Sequence, residues 1–184
     1  MKAMLNEINL VQQDALLLHD QNTVEAALDN MAAKINEQLA GLNPLVLCVI
    51  NGGIIATGQL LPKLDFPLTL DSVCASRYRN NTSGSEIHWL YKPTTSLIDR
   101  NILIVDDILD EGHTLKAIVD WCQQQGANQV YTAVLMNKDL GTSKPIQADF
   151  VGLQVANHYL FGYGMDYKGY LRNAAGIYAC KEVL

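Results

Sequence analysis

The sequence predicts an α/β protein with a mostly parallel central sheet flanked by helices. Apolar runs at residues 45–50, 102–105 and 130–136 have the length of strands and are apolar on both faces, as expected for strands covered by helices on each side. A helical pattern separates the last two runs. Strand, helix and strand in this order predict a right-handed βαβ unit, and hence parallel strands.

The first predicted helix precedes the strand at 45–50. From Asn22 onwards, apolar residues recur three or four positions apart as far as Leu39, and Gly41 follows. Asn22 and Glu25 have the spacing of a capping box, in which each side chain bonds a free backbone N–H of the first turn. The helix is therefore predicted to begin at Asn22 and to end before Gly41.

Two further strands are predicted at 68–76 and 87–91, around a polar stretch at 77–85 in which Tyr78 is the apolar exception. Polar loops of this length often serve as mobile lids, so a lid is predicted there. A second helix is predicted from Leu115 to Cys122, ending by Gly126.

After a polar loop, a strand is predicted at 150–155, followed by an aromatic segment at 159–170 that glycines interrupt.

Composition and charge limit the function classes. The chain has 184 residues, 49% of them hydrophobic and 17% charged, which predicts one folded domain over residues 1–184. With 13 basic and 19 acidic residues its net charge is −6, so binding of nucleic acid through bulk charge is not expected. No targeting or membrane-spanning run is visible, and four scattered cysteines indicate reduced core residues. We expect a cytoplasmic protein without a zinc site.

Residues 104–114 carry the strongest indication of chemistry. Asp106 and Asp107 follow a predicted strand, and ligands of open α/β sheets bind beyond the carboxyl ends of strands. Together with Asp110 they make three acids within five residues, and their negative charges repel one another. A site that binds a cation or ribose hydroxyls would explain why the acids are grouped despite this repulsion. The turn at 110–114 offers backbone N–H groups, a glycine and a hydroxyl at a helix N-terminus, which suits a phosphate.

Taken without the rest of the sequence, residues 104–114 could also have a purely structural role. Asp110 or Thr114 could cap the following helix, while Asp106 and Asp107 could be solvated acids at a strand end.

The complete run from Val105 to Thr114 resembles the phosphoribosyl-pyrophosphate motif of type I phosphoribosyltransferases. Both have an apolar run, two acids, two apolar residues, an acid, a variable residue, Gly, a variable residue and Thr. Residues 148–153 and 162–167, with Arg172, are similar to the carboxy-terminal part of hypoxanthine-guanine phosphoribosyltransferases. The resemblance implies that family's fold, with a small hood built from the chain ends.

The resemblance also implies roles at the sugar and phosphate end of the site. Asp106 and Asp107 match the acids that hold the ribose hydroxyls, directly or through Mg²⁺, and Asp166 matches a ligand of the Mg²⁺ on the pyrophosphate side. Arg172 matches an arginine that binds pyrophosphate. The remaining matches are the 5′-phosphate loop of Asp110, Glu111, Gly112, His113 and Thr114, the pyrophosphate loop of Asn51, Gly52 and Gly53, and Tyr78 at the start of the lid.

At the purine end, Asp110 matches the acid near N7 of the base, a candidate general base. Lys138 matches the lysine that contacts the 6-oxo group. Tyr159 matches the aromatic residue that stacks on the base, and the backbone of Leu160 matches the group that bonds the base edge.

The implied activity is purine salvage: transfer of the 5-phosphoribosyl group from phosphoribosyl pyrophosphate to hypoxanthine or guanine, with Mg²⁺ as cofactor. The implied partners are these small molecules and further copies of the chain, in a homodimer or homotetramer. Preference among hypoxanthine, guanine and xanthine stays open.

Three positions depart from the family's pattern. Asn51 stands where many relatives have lysine, Glu111 where Thr or Ser is common, and His113 where lysine is frequent. We expect the Glu111 side chain to point away from the phosphate and His113 to be exposed on the first helical turn.

Two other function classes share part of this pattern. A phosphorelay receiver domain also has a strand followed by an acid pair, but it needs over 100 further residues where 77 follow Asp107 here. A regulatory protein that keeps the transferase fold without turnover is disfavoured because Asp110, Lys138 and Asp166 are all present.

Overall fold

The computed structural model describes residues 2–77 and 87–181, so Tyr78 and most of the predicted lid lie outside the described residues. In chain order the elements are α1 (Lys2–Asp14), β1 (Leu16–Asp20), α2 (Gln21–Leu39), β2 (Leu45–Val49), α3 (Ile54–Leu60), a 3₁₀ turn (Leu61–Lys63), β3 (Thr69–Arg77), β4 (Ile87–Tyr91), β5 (Asn101–Leu109), α4 (His113–Gln124), β6 (Gln129–Asp139), β7 (Phe150–Ala156), β8 (Leu160–Phe161) and β9 (Gly176–Ala179).

The central sheet has six strands in the order β4-β3-β2-β5-β6-β7. The neighbouring strands β3, β2, β5, β6 and β7 pair in parallel. At the edge of the sheet, β4 pairs antiparallel with β3. The predicted α/β fold with a mostly parallel sheet is confirmed.

Helices cover both faces of this sheet. Side chains of β5 alternate between the two layers, as the two-residue period of a strand requires. Leu103 and Val105 belong to the core formed with α2, whereas Ile102 and Ile104 belong to the core formed with α4. A strand buried on both faces explains why its sequence is continuously apolar.

The predicted cap of α2, Asn22, is wrong by two residues. Asp20, at the end of β1, is the cap: its Oδ1 accepts hydrogen bonds from the backbone N of Thr23 at 2.8 Å and from the Thr23 hydroxyl at 2.6 Å. Asn22 lies inside the first turn. The extended backbone of Asp20 places its carboxylate over the free N–H groups, which is the geometry that a cap requires.

Two strands extend further than their apolar runs predict. β5 continues through Leu109 and β6 through Asp139, with Leu109 paired to Asn137. Asp106, Asp107 and Lys138 therefore lie within the strands. The sequence had predicted that they lie beyond the strand ends. By contrast, β2 pairs with β5 only as far as Val105. The side of β5 beyond Val105 is thus left open, and a crevice forms there.

The hood is a separate antiparallel sheet in the order β1-β9-β8. Strands from both ends of the chain build it, as the resemblance implied. Helix α1 was not predicted, because polar residues interrupt its apolar positions and only Ile8 is buried. Within the described residues, no helix is long and apolar enough to cross a membrane.

Residues Thr132 and Asp149 lock β7 beside β6. The backbone N and the hydroxyl of Thr132 donate to Asp149 Oδ2 at 2.7 and 2.8 Å, and the Asp149 N donates to the same hydroxyl at 3.1 Å. Thr132 is buried and Asp149 is exposed, so these bonds are partly buried.

Thr132→Val keeps the shape and the β-branched side chain but removes the hydroxyl. We expect the free energy of unfolding to fall by about 1 to 3 kcal/mol, because a carboxylate loses a buried donor. Urea unfolding followed by circular dichroism measures this. Thr142→Val, at an exposed loop position, is the matched control and should change little. Equal midpoints for the two variants would contradict the assigned role.

Candidate active site

A cavity of about 880 Å³ opens at the carboxyl ends of β2 and β5. Parallel α/β sheets bind ligands at this edge. The cavity brings together almost all of the predicted site residues: Asn51, Gly52, Asp106, Asp107, Asp110, Glu111, Gly112, His113, Thr114, Lys138, Tyr159, Leu160, Asp166 and Arg172. Gly53 does not line it. Tyr78 lies outside the described residues.

The acid pair lies at the base of this cavity, on β5. The backbone N of Asp107 donates to Asp106 Oδ1 at 2.9 Å. Burial raises the pKa of Asp106, and the charge of Asp107 raises it further. Burial also raises the pKa of Asp107, with partial compensation from Arg172. Ionising both acids is therefore costly, and a bound cation or hydroxyl donors would reduce this cost.

Glycines allow three backbone segments to meet around Asp107. A Cβ at Gly52 would lie 2.2 Å from Asp107 Oδ2, and a Cβ at Gly164 would lie 2.0 Å from the carbonyl oxygen of Gly52. Gly164 has φ of +105°, which other residues rarely adopt. The Ile50–Asn51 peptide bond that precedes Gly52 is cis. The 50–53 loop, β5 and the hood segment 162–165 are thus in direct contact.

Gly53 supports the same loop from beneath. Its backbone N donates to the carbonyl oxygen of Val49 at 2.8 Å. A Cβ there would lie 2.7 Å from the carbonyl oxygen of Val105. Its position against β5 explains why it does not face the cavity.

The predicted phosphate loop forms the turn from β5 into α4. Gly112 caps α4 with φ of +85°, and the free N–H groups of the first helical turn follow it. His113 is exposed, as expected from the sequence, and Glu111 is exposed as well. Free N–H groups at a helix N-terminus, together with the Thr114 hydroxyl, suit a phosphate group.

Lys138 and Asp110 form an ion pair across the ends of β6 and β5. Lys138 Nζ lies 2.8 Å from Asp110 Oδ2. The Lys138 side chain is only 10% exposed, whereas that of Asp110 is 44% exposed. Lys138 is therefore not an ordinary solvated lysine. The pair presents an acceptor and a donor side by side to the cavity.

Lys144 also contacts this region, and the sequence interpretation missed it. Its Nζ donates to the carbonyl oxygen of Leu109 at 2.7 Å and to Asn137 Oδ1 at 2.8 Å. Burial lowers the pKa of Lys144, while the charge of Asp110 acts in the opposite direction. The residue lies in an irregular polar loop, where no spacing pattern could have identified it.

Asp166, Arg172 and Tyr159 come from the hood side of the cavity. Arg172 Nη2 lies 2.6 Å from Asp166 Oδ1, and the backbone N of Gly169 donates to Asp166 Oδ2 at 2.6 Å. Tyr159 is 56% exposed, so it is not a core aromatic residue. Its ring packs edge to face on Tyr167, with centroids 5.6 Å apart.

The acids of the cavity suit Mg²⁺ bound together with a substrate. Within residues 2–77 and 87–181, no group of three or more His, Cys, Asp or Glu side chains could hold a metal ion by itself. Mg²⁺ commonly uses one or two carboxylates, with the remaining positions filled by water and substrate oxygens. The pair Asp106 and Asp107, and separately Asp166, fits this mode of binding.

Comparisons with known proteins agree with this fold and site. A family model described as a phosphoribosyl transferase domain matches residues 15–168. A hypoxanthine-guanine phosphoribosyltransferase from Streptococcus pneumoniae is 33% identical over 168 residues, covering 91% of this chain and 92% of the relative. One from Streptococcus mutans is 29% identical over 174 residues, covering 94% and 97%.

Solved structures show the same architecture. A hypoxanthine-guanine-xanthine phosphoribosyltransferase superimposes with a TM-score of 0.82 at 28% identity, covering 92% of this chain and 99% of the other. A hypoxanthine phosphoribosyltransferase from Staphylococcus aureus has the same fold, with a TM-score of 0.86 at 23% identity over 94% of this chain and 95% of the other.

Together these findings define a transferase of phosphoribosyl groups rather than a receiver domain. The chain belongs to the phosphoribosyltransferase family, among the hypoxanthine-guanine phosphoribosyltransferases.

Gly52→Ala tests the close packing around Asp107. The added methyl group would occupy the position of the Asp107 carboxylate, so this side chain must move. Because small displacements of site groups strongly reduce turnover, we expect kcat/KM for nucleotide formation to fall by about 100-fold or more.

The matched control is Gly58→Ala in α3, where an added Cβ meets nothing within 4 Å. This variant should keep its activity. Similar kcat/KM values for the two variants would show that the Asp107 position tolerates the shift.

Proposed function

We propose that the protein transfers the 5-phosphoribosyl group from phosphoribosyl pyrophosphate to a ring nitrogen of hypoxanthine or guanine, with release of pyrophosphate. The observation that carries the proposal is a single cavity that holds the Asp110–Lys138 pair, the Asp106–Asp107 pair and the N-terminus of α4. These three features suit a base, a ribose and a phosphate in turn. The products would be IMP and GMP, as in purine salvage.

At the sugar end, Asp106 and Asp107 would accept hydrogen bonds from the ribose hydroxyls. The 5′-phosphate would bind the turn of residues 110–114, where the backbone N–H groups carry the partial positive charge of the α4 terminus. Of the exposed Glu111, only the backbone N–H would contribute. These contacts fix the sugar while leaving its anomeric carbon accessible.

The reaction develops positive charge at the anomeric carbon and negative charge on the leaving pyrophosphate. Arg172 would bind the leaving group, together with the backbone N–H groups of Asn51 and Gly52, whereas the N–H of Gly53 is bonded to the carbonyl oxygen of Val49. Because Asn51 carries no charge, binding at this loop rests on the backbone. Mg²⁺, held by Asp166 and by the Asp106–Asp107 pair, would supply further neutralisation of the pyrophosphate when bound.

At the purine end, Tyr159 would stack on the base and the backbone of Leu160 would bond its edge. Asp110 would accept or share the proton at N7, acting as general base. Lys138 would donate to the 6-oxo group. Lys138 reaches the cavity from β6 and Asp110 from the turn after β5, and their 2.8 Å ion pair holds the two side chains together.

The setting of the protein is also part of the proposal. We expect one domain, a cytoplasmic location, small-molecule partners without nucleic acid or membrane, and assembly as a homodimer or homotetramer. A reducing compartment agrees with four free cysteines.

Asp110→Asn tests the general base. The amide keeps an oxygen that accepts from Lys138 but cannot take up a proton at pH 7, so we expect kcat to fall by about 100-fold or more. Binding of phosphoribosyl pyrophosphate, measured by calorimetry, should change little. Asp99→Asn, at an exposed loop position, is the control. Near-normal turnover of Asp110→Asn would remove this residue from the chemistry.

Lys138→Gln tests the choice of purine. An ammonium group only donates, so it suits a 6-oxo acceptor and opposes the 6-amino group of adenine. The unpaired buried group would cost about 1 to 3 kcal/mol, or roughly tenfold to a few hundredfold in discrimination. We therefore expect kcat/KM to favour hypoxanthine and guanine over adenine in the wild type.

The glutamine amide both donates and accepts, so the variant should lose rate with oxopurines and narrow the gap to adenine. Wild-type protein that used adenine as well as hypoxanthine would overturn the role of Lys138.

A further inference from the structure

Helix α1 is tied to the hood by one carboxylate. Glu7 Oε1 accepts a hydrogen bond from the Tyr167 hydroxyl at 2.9 Å and lies 2.5 Å from Lys168 Nζ. Helix α1 precedes the range matched by the family, residues 15–168, whereas Tyr167 directly follows Asp166 of the cavity. An element outside the matched range thus contacts the rim of the active site.

The backbone around Tyr167 is held by a tight turn. Tyr167 N donates to the Tyr170 carbonyl oxygen at 3.0 Å, and Tyr170 N donates back to the Tyr167 carbonyl oxygen at 2.9 Å. Lys168 and Gly169 between them have φ of +50° and +85°, the pattern of a type I′ turn. With its backbone fixed, the Tyr167 side chain keeps freedom only in its torsions. The bond to Glu7 restricts these.

The Tyr167 ring in turn supports Tyr159. The two rings pack edge to face at 73°, with centroids 5.6 Å apart. The backbone of Tyr159 is also held, since Cys180 N donates to its carbonyl oxygen at 2.8 Å. The Tyr159 ring is 56% exposed and lines the cavity, so Tyr167 is the aromatic neighbour that limits its rotation. A continuous chain of contacts runs from Glu7 through Tyr167 to Tyr159.

We propose that Glu7 is a positioning residue for purine binding: acting through the Tyr167 hydroxyl, it fixes the Tyr159 ring in the orientation that stacks on the base. This inference rests on the proposed function, which assigns the stacking role to Tyr159. A ring already held in its bound orientation loses less side-chain freedom when the base binds. Helix α1 would therefore tune purine affinity without touching a substrate.

The effect should be confined to the purine end. Asp166 is held by Arg172 at 2.6 Å and by the backbone N of Gly169 at 2.6 Å, and these contacts do not involve the Glu7 carboxylate. The acid pair lies on β5, and the phosphate turn joins β5 to α4. The Glu7 carboxylate instead binds Tyr167 and Lys168. Loss of the Glu7 contact should therefore raise KM for the purine and leave KM for phosphoribosyl pyrophosphate nearly unchanged.

The test uses the full chain with Glu7→Ala, Tyr167→Phe and the double variant. Each single variant removes the hydrogen bond between Glu7 and Tyr167. Glu7→Ala also breaks the ion pair with Lys168, whereas Tyr167→Phe keeps that pair and keeps the ring against Tyr159. We expect KM for hypoxanthine to rise about 3-fold to 10-fold in each, with kcat within about 2-fold. The double variant should resemble Glu7→Ala, because the hydrogen bond that Tyr167→Phe removes is already absent there.

Two further variants separate positioning from general stability. Glu7→Gln keeps an oxygen that accepts from the Tyr167 hydroxyl, so it should largely restore the wild-type KM. Glu37→Ala removes an exposed acid from α2 and should leave KM unchanged. Melting temperatures of all variants show whether any change in KM follows from loss of folding. Calorimetric titration with GMP gives a binding constant that does not depend on turnover.

Tyr159→Leu distinguishes failure of this inference from failure of the proposed function. If Tyr159→Leu raises the purine KM but Glu7→Ala and Tyr167→Phe do not, the coupling is wrong and the stacking role stands. If Tyr159→Leu leaves the purine KM unchanged, the stacking role is wrong and the inference falls with it. The inference would also be overturned if the effects of Glu7→Ala and Tyr167→Phe on the purine KM were additive in the double variant. An equal rise in KM for the purine and for phosphoribosyl pyrophosphate would overturn it as well.

Discussion

The close approach of three backbone segments around Asp107 is the constraint on which the site depends. Gly52 and Gly164 have no side chains, and a Cβ at either would overlap Asp107 or the loop itself. Arg172, from the hood, donates to the carbonyl oxygen of Gly164 at 2.5 Å and compensates part of the charge of the buried Asp107. The hood is thereby fixed against the central sheet by sterics and by charge together.

The same constraint gives a reason for the unequal strand lengths. Because β2 ends at Val49, its loop can fold over the open side of β5, while β5 and β6 continue to Leu109 and Asp139. Asp106, Asp107 and Lys138 are therefore carried by paired strands, which position side chains more accurately than loops do. The phosphate turn begins where β5 ends, so the acid pair and this turn are both positioned by the course of β5.

Much of this architecture is visible in the sequence. The apolar runs of β2, β5 and β6 predicted the parallel sheet because burial on both faces demands apolar residues. The motif at 105–114 predicted the residues that line the cavity. Strand ends were missed because Asp106, Asp107 and Lys138 are polar and have the composition of a loop. Backbone pairing nevertheless continues along β5 to Leu109 and along β6 to Asp139.

Contacts between distant parts of the chain leave no local pattern at all. Lys144 reaches Leu109, and Glu7 reaches Tyr167 across 160 positions, so neither could be inferred from spacing. Asp20 was missed as the cap of α2 for a different reason. Asn22 offered an equally good capping pattern, and only the backbone geometry distinguishes the two.

The distribution of charge explains how an acidic protein can hold a polyanionic substrate. Asp110 is paired with Lys138, and Asp166 with Arg172, so these acids add little net negative charge to the cavity. Asp106 instead accepts from the backbone N of Asp107, and its pKa is raised by burial and by that neighbour. A bound cation is thus most stabilising beside Asp106 and Asp107. The backbone N–H groups at the start of α4 and the Arg172 guanidinium would instead bind the phosphate groups. The net charge of −6 consequently says little about substrate charge, because the local arrangement decides it.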